Sequence, residues 1–237
     1  MAFAKPFFDF QIDVARRLAA QFDLSLGTTL ARYTTFSTLF AAEWDTYVGP
    51  IEAVPDLGAW TYEYYLSQRS PDPQPDDATY QGEPLFGCFY YHVREATTIR
   101  VHFIKNDPLS SRPLARPRMA ARHAELARMF AHIRAHVPAA QRVLGNSWLY
   151  NIEAYRRLYP PAYTAELPVS DEAEFNFLAF WGQCFDHAWN PKPALARVIL
   201  QQVAHMPHLD ALRWCFPYQI LQPAGSIADF YQFYAVE

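Results

Sequence analysis

From Leu85 to Ile104 the chain is dense in aromatic and β-branched residues, whereas its other long apolar stretches repeat at helical spacing. That contrast predicts a mostly helical α+β fold in which a small antiparallel sheet is covered by helices. The strands are expected at Leu85 to Arg94 and Thr97 to Ile104, split by Glu95-Ala96. Alternation puts Cys88, Tyr90, His92 and Arg94 on one face of the first strand and Arg100, His102 and Ile104 together on the second. An odd number of loop residues sets His92 opposite Arg100 or His102, and an even number sets it opposite Val101, so the pattern leaves the register open.

The helical stretches flank this hairpin. Phe10, Val14, Leu18 and Phe22 form one stripe, and Leu30, Tyr33, Phe36, Leu39 and Phe40 form a second, with a short aromatic helix around Trp60 to Leu66. Arg118 to Val137 reads as an amphipathic helix that buries Met119, Leu126, Met129, Phe130, Ile133 and Val137 and exposes Glu125, Arg128, His132 and His136. Beyond the short apolar run Val143-Leu144, a helix from Ile152 to Tyr159 stops at Pro160-Pro161. A long aromatic helix then starts at a Ser170 or Asp171 cap and carries Phe175, Leu178, Trp181, Phe185 and Trp189. Ser70 to Asp77 holds three prolines and three acids and reads as an exposed loop. It divides an N-terminal helical segment (1–70) from an α+β body (78–237) within one compact domain.

With 237 residues, 51% of them apolar, the chain can bury a sizeable core. A net charge of −4 argues against a general nucleic-acid binder. Cys88, Cys184 and Cys215 form no CxxC pair, which suggests a reducing, cytoplasmic setting. No run approaches the eighteen apolar residues of a membrane span.

Charge is unevenly spread. Between Arg100 and Arg142 nine basic residues face two acids, Asp107 and Glu125, giving that stretch a formal +7 against −11 for the remainder. Arg112, Arg116, Arg118 and Arg122 cluster across a loop and a helix start, where free N–H groups and the helix dipole add to guanidinium charge. This predicts contact with an anionic small molecule. His92 and His102, with Tyr90 and Arg100, are the candidate acid, base and anion donor, set against a half-buried strand row with satisfied imidazoles.

Two further pairs carry weaker signals. His132 and His136 have metal-binding spacing, but the intervening Ile133-Arg134-Ala135 lacks the zinc-protease Glu and no third ligand is evident, so a solvated face is favoured and no metal is assigned. Cys184 and His187 suggest a thiol and its base, against a small core cysteine.

Arg142-Val143-Leu144-Gly145-Asn146-Ser147 nearly fits the R-x-x-G-x-G/A element with which GCN5-related N-acetyltransferases cradle the coenzyme A pyrophosphate, although Ser replaces the last small residue and no full strand precedes it. From Ile99 to Phe185 the order of a strand with a His, a long helix, Ser147-Trp148-Leu149-Tyr150, a short helix and an aromatic helix resembles the C-terminal domain of GCN5-related acyltransferase-like proteins. The resemblance implies acyl transfer, with coenzyme A or another acyl thioester as the bound group. The resulting expectation places His102 or His92 as base, Arg100, Arg116, Arg118 and Arg122 on the anion, and Asn146, Ser147, Trp148 and Asn151 beside the acceptor. The alternative is a non-catalytic interaction module, since fifteen Tyr, eighteen Phe and six Trp favour protein contacts, a homo-oligomer among them.

Overall fold

The computed structural model describes residues 3–68, 79–80, 82–110, 112–172 and 174–236. The whole of the acidic proline loop, 70–77, lies outside them. The helices are α1 (Lys5–Phe22), α2 (Leu26–Tyr33), α3 (Phe36–Leu39), α4 (Trp44–Val48), α5 (Leu57–Gln68), α6 (Met119–His136), α7 (Glu153–Arg156), α8 (Leu178–Trp181), α9 (Pro193–His205) and α10 (Ile227–Phe233). The strands are β1 (Thr79–Tyr80), β2 (Glu83–Phe86), β3 (Phe89–Glu95), β4 (Thr98–Phe103), β5 (Arg142–Leu144) and β6 (Ala224–Ser226). They divide into two compact units, Met1–Asp72 with Glu172–Gln219, and Pro73–Asp171 with Ile220–Glu237.

The first unit is helical. Pro6 opens α1, where its missing N–H costs nothing, and the helix buries Phe7, Phe8, Phe10, Ile12, Val14 and Leu18. These rings pack against Phe36, Tyr65, Trp181 and Phe185 at centroid distances of 4.8–5.9 Å. Gln11 is fully buried and satisfied: its Oε1 accepts from Thr35 N and Thr35 Oγ1 at 2.9 and 3.1 Å. The long aromatic helix expected after Ser170 is broken instead. α8 covers only four residues, one 3-10 turn follows, and Trp189 takes φ 62°. The break is local chemistry, because Asp186 Oδ1 accepts from Ala188 N and Asn190 N and so offers the backbone an alternative to helix.

The second unit holds a six-stranded sheet in the order β1-β2-β3-β4-β5-β6. It is wider than the expected hairpin and mixed, since β5 runs parallel to β4 while every other pairing is antiparallel. The helix between those two strands, α6, supplies the crossover that parallel pairing requires. The first expected strand is in fact two, β2 and β3, turned at Gly87, whose φ of 65° suits glycine. The two-residue loop Ala96-Thr97 would by itself put His92 opposite Val101. An extra residue, Arg94, is accommodated between the pairs Val93–Ile99 and Glu95–Thr98, and this bulge sets His92 opposite Arg100. Ile99, Val101, Val143, Phe89 and Tyr91 turn to one face of the sheet and join Leu126, Met129, Phe130 and Ile133 of α6 in the core.

Candidate functional site

The core face leaves the other face of the sheet to Tyr90, His92, Arg100, His102, Arg142 and Leu144. Register places His92, Arg100, Leu144 and Ala224 in one row across four strands. Tyr90, His102 and His92 form a continuous ring stack with centroid separations of 4.6 and 4.8 Å, and Tyr80 packs on Tyr90 at 5.2 Å with its plane tilted by 50°. His102 Nε2 and His92 Nδ1 are 2.8 Å apart, so one ring donates its single proton to the other. Burial, then the charge of Arg100, holds the His92 pKa below its ordinary value despite Glu83. Burial, followed by His92 and Arg100, lowers that of His102 to about 3. Both shifts favour the neutral imidazole over the imidazolium.

The Arg cluster divides into two kinds of side chain. Arg122 is buried, and its Nη1 and Nη2 donate to Asp107 Oδ2 at 3.1 Å and Glu125 Oε1 at 2.6 Å. Arg118 donates to both oxygens of Asp107, at 2.7 and 2.9 Å. The two acids of the basic stretch thus neutralise two of its arginines. Burial pushes the Asp107 carboxyl up, but hydrogen bonds from Arg118 and Leu109 N and the charge of Arg122 outweigh it and leave the pKa below the usual range. Burial dominates at Glu125, whose pKa is raised although Cys88 N and Arg122 hold the carboxylate. Removing one member of such a buried pair strands the other, at a cost of about 3–5 kcal/mol. Arg118 and Arg122 are structural, then, whereas Arg112 and Arg116 are exposed and make no ion pair among the described residues.

Cys88 lies against this network, with Sγ 2.7 Å from Arg122 Nη1. Burial nonetheless raises its pKa to about 11, so the thiol stays protonated. Cys184 and His187 do not combine: the thiol is buried with its pKa pushed far up by burial, and His187 is exposed beyond the break after α8.

The carboxyl ends of the parallel strands meet the start of α6. β5 pairs with β4 only from Thr98–Arg142 to Arg100–Leu144, while β4 continues to Phe103 against β3. The β5 side of Val101, His102 and Phe103 therefore has no strand partner. Past Leu144 the chain turns away, and Ser147 pairs with Leu221. Gly145 permits that turn by close approach, since an added Cβ would lie 2.2 Å from Tyr150 Oη. The half-buried Asn146 follows, and its Oδ1 has no hydrogen-bond partner among the described residues. Ser147 Oγ accepts from Leu149 N at 3.1 Å, and Asn151 Nδ2 donates to the Trp148 carbonyl at 2.8 Å, so these two side chains cap and tie the following 3-10 turn. On the polar face an open cleft of about 360 Å³ is lined by Arg142, Leu144, Glu166, Pro168, Gln222 and Ala224.

Sequence spacing missed the Asp107–Arg122–Glu125 network because its parts come from a loop and a helix that meet only after folding. The one local signal was that these were the sole acids in a basic stretch. No known protein family, curated protein or solved structure matches this chain. Among the described residues no helix is long and apolar enough to cross a membrane.

Proposed function

We propose that the sheet-bearing unit binds an anionic small molecule of the acyl-thioester class, such as an acyl-coenzyme A, at the carboxyl ends of β4 and β5, and that it transfers the acyl group. One observation carries this reading: the parallel strands part company beyond Arg100 and Leu144 at the end where α6 begins. Ligands of crossover sheets collect at such ends. The open edge of Val101 to Phe103 offers backbone donors and acceptors to an extended, amide-bearing chain, as an added strand would use them. Arg112 and Arg116 supply the charge for an anionic head, with the dipole of α6 behind them. Asn146 Oδ1 offers an acceptor at the same end.

His102 sits where β4 has no strand partner on its β5 side and is hydrogen-bonded to His92. In the transfer step His92 takes the proton of an acceptor nucleophile, which bonds to the acyl carbon as the carbon–sulfur bond breaks and the thiolate leaves with the electron pair. His102 then accepts from the Nδ1–H of the resulting imidazolium. The three buried, unpaired cysteines suit a reducing, cytoplasmic setting. Isothermal titration with coenzyme A and acetyl-coenzyme A tests the reading: binding is expected in the wild type, with at least tenfold loss in the Arg112→Gln/Arg116→Gln double variant. No heat at millimolar ligand sinks it.

A second reading, a protein-interaction module, rests on Phe177, Trp214 and Tyr218, which are 52%, 62% and 41% exposed in the helical unit. Sedimentation velocity over a range of concentrations distinguishes it, since self-association through these rings is lost on Trp214→Ser.

A further inference from the structure

Three extended segments run side by side along the polar face of the sheet. β5 pairs with β6 through Arg142–Ser226 and Leu144–Ala224, and beyond those pairs Gly145 N donates to the Pro223 carbonyl at 3.0 Å. Leu221 then bridges to Ser147 on one side and to Val169 on the other. Gln222 N and Ser170 N donate to the carbonyls of Pro168 and Ile220 at 2.9 and 2.8 Å, which ties the segment carrying Pro168 to the same backbone. Strand spacing sets β5 and that segment about 10 Å apart across Ala224. A single methyl leaves such a gap open. It is the cleft of about 360 Å³, at the small end of the range for ligand sites.

The lining carries one cation and one anion. Arg142 and Glu166 are both exposed, yet their side chains make no ion pair or hydrogen bond among the described residues, with each other or with a third group. Gln222 is fixed from behind: its Oε1 accepts from the hydroxyl of the fully buried Ser170 at 3.1 Å, and its two Nε2 hydrogens have no acceptor among the described residues. Leu144, Pro168 and Ala224 add apolar surface to the same lining.

We infer that this cleft binds a free α-amino acid with an apolar side chain. The Arg142 guanidinium takes the carboxylate, with Gln222 Nε2 as a further donor, Glu166 takes the ammonium, and the side chain lies on Leu144, Ala224 and Pro168. Opposite charges on one small ligand satisfy both ends of the cleft, whereas a ligand with one charge leaves the other end unpaired. A coenzyme or nucleotide is too large, and the Glu166 carboxylate repels its phosphates. The inference goes beyond the acyl-thioester reading and does not use it, because neither Arg112 nor Arg116 is among the described residues that line the cleft.

Amide chemical-shift mapping by nuclear magnetic resonance, with leucine added at neutral pH and no thioester present, tests the inference. Saturable shifts are expected at Arg142, Leu144, Glu166, Gln222 and Ala224. 4-Methylpentanoate, which lacks the amine, and isopentylamine, which lacks the carboxylate, should each bind at least tenfold more weakly than leucine. Arg142→Gln and Glu166→Gln should each weaken leucine at least tenfold with unchanged thermal unfolding, since both side chains are exposed. The Arg112→Gln/Arg116→Gln double variant should bind leucine as the wild type does, which separates this site from the anion site. The absence of shifts at these residues with millimolar leucine overturns the inference, as does equal binding of either one-charge analogue or unchanged affinity in Arg142→Gln or Glu166→Gln.

Discussion

Glu125 falls on the polar arc of α6 by spacing, yet Cys88 N and Arg122 draw its carboxylate out of solvent. A helical stripe reports which side chains are apolar. It does not report which charged ones will find a partner on another strand, and so Arg122 and Glu125 were illegible as buried groups. The imidazoles were more legible, because alternation alone put Tyr90, His92, Arg100 and His102 on matching faces. Their state has a measurable consequence. Folded His102 takes up its proton only near pH 3, whereas an unfolded imidazole does so near 6.5, so the unfolded chain holds more protons between those values. Stability must then rise with pH across that window and fall as the solution is acidified below about 6.5. The stability advantage of wild type over His102→Gln should shrink by roughly 1 kcal/mol for each pH unit from 6 to 4, read by urea unfolding. Parallel curves for the two proteins would show that His102 titrates normally.

At the scale of elements, α6 was predicted to within a residue at each end, because its stripe is long and Pro138 closes it. The β-turns were harder. A glycine between aromatic residues reads as part of one strand, whereas Gly87 turns the chain and makes room for Glu125: an added Cβ would meet the Glu125 carboxyl carbon at 2.1 Å. β5 was legible only as a short apolar run, since three residues carry no period, and its parallel partner is set by the length of α6 rather than by any local signal. Gly82 offers a built-in control for the turn, because it also has positive φ, 83°, but nothing lies within 4 Å of its added Cβ. Gly82→Ala should cost only the left-handed backbone strain, of order 1–3 kcal/mol. Gly87→Ala pays that strain and also displaces Glu125 from Arg122 and Cys88 N, so its melting temperature should fall several degrees further. Equal melting temperatures for the two variants would mean that the Glu125 contacts contribute little.

Across the whole molecule, the division of the chain was the least legible feature. The Ser70–Asp77 loop marks a change in composition, and a single cut there predicts two consecutive segments. The sheet-bearing unit is instead discontinuous, built from Pro73–Asp171 and Ile220–Glu237. No composition shift announces the return, because what joins the last segment to the sheet is three residues of β6 on β5 and a set of ring contacts. Phe130 packs on Phe230 and Tyr234 at 4.6 and 5.2 Å, and Tyr163 packs on Phe230 at 4.8 Å. Tyr234 also donates its hydroxyl proton to the Leu158 carbonyl. Ile227 and Phe230 are buried, and burying side chains of this size contributes about 1.5–3 kcal/mol each, so losing this segment forfeits roughly 3–6 kcal/mol of apolar burial from these two side chains alone. A chain ending at Gln219 loses β6 and α10 together, leaves β5 as an edge strand and strips Phe130 of its contacts with Phe230 and Tyr234. Hydrogen exchange of that truncated chain should show protection lost across β3, β4 and α6, elements far from the cut in sequence. If those amides stay protected, the sheet does not depend on its returning segment, and the rings at the end of the chain are a cover on a core already complete.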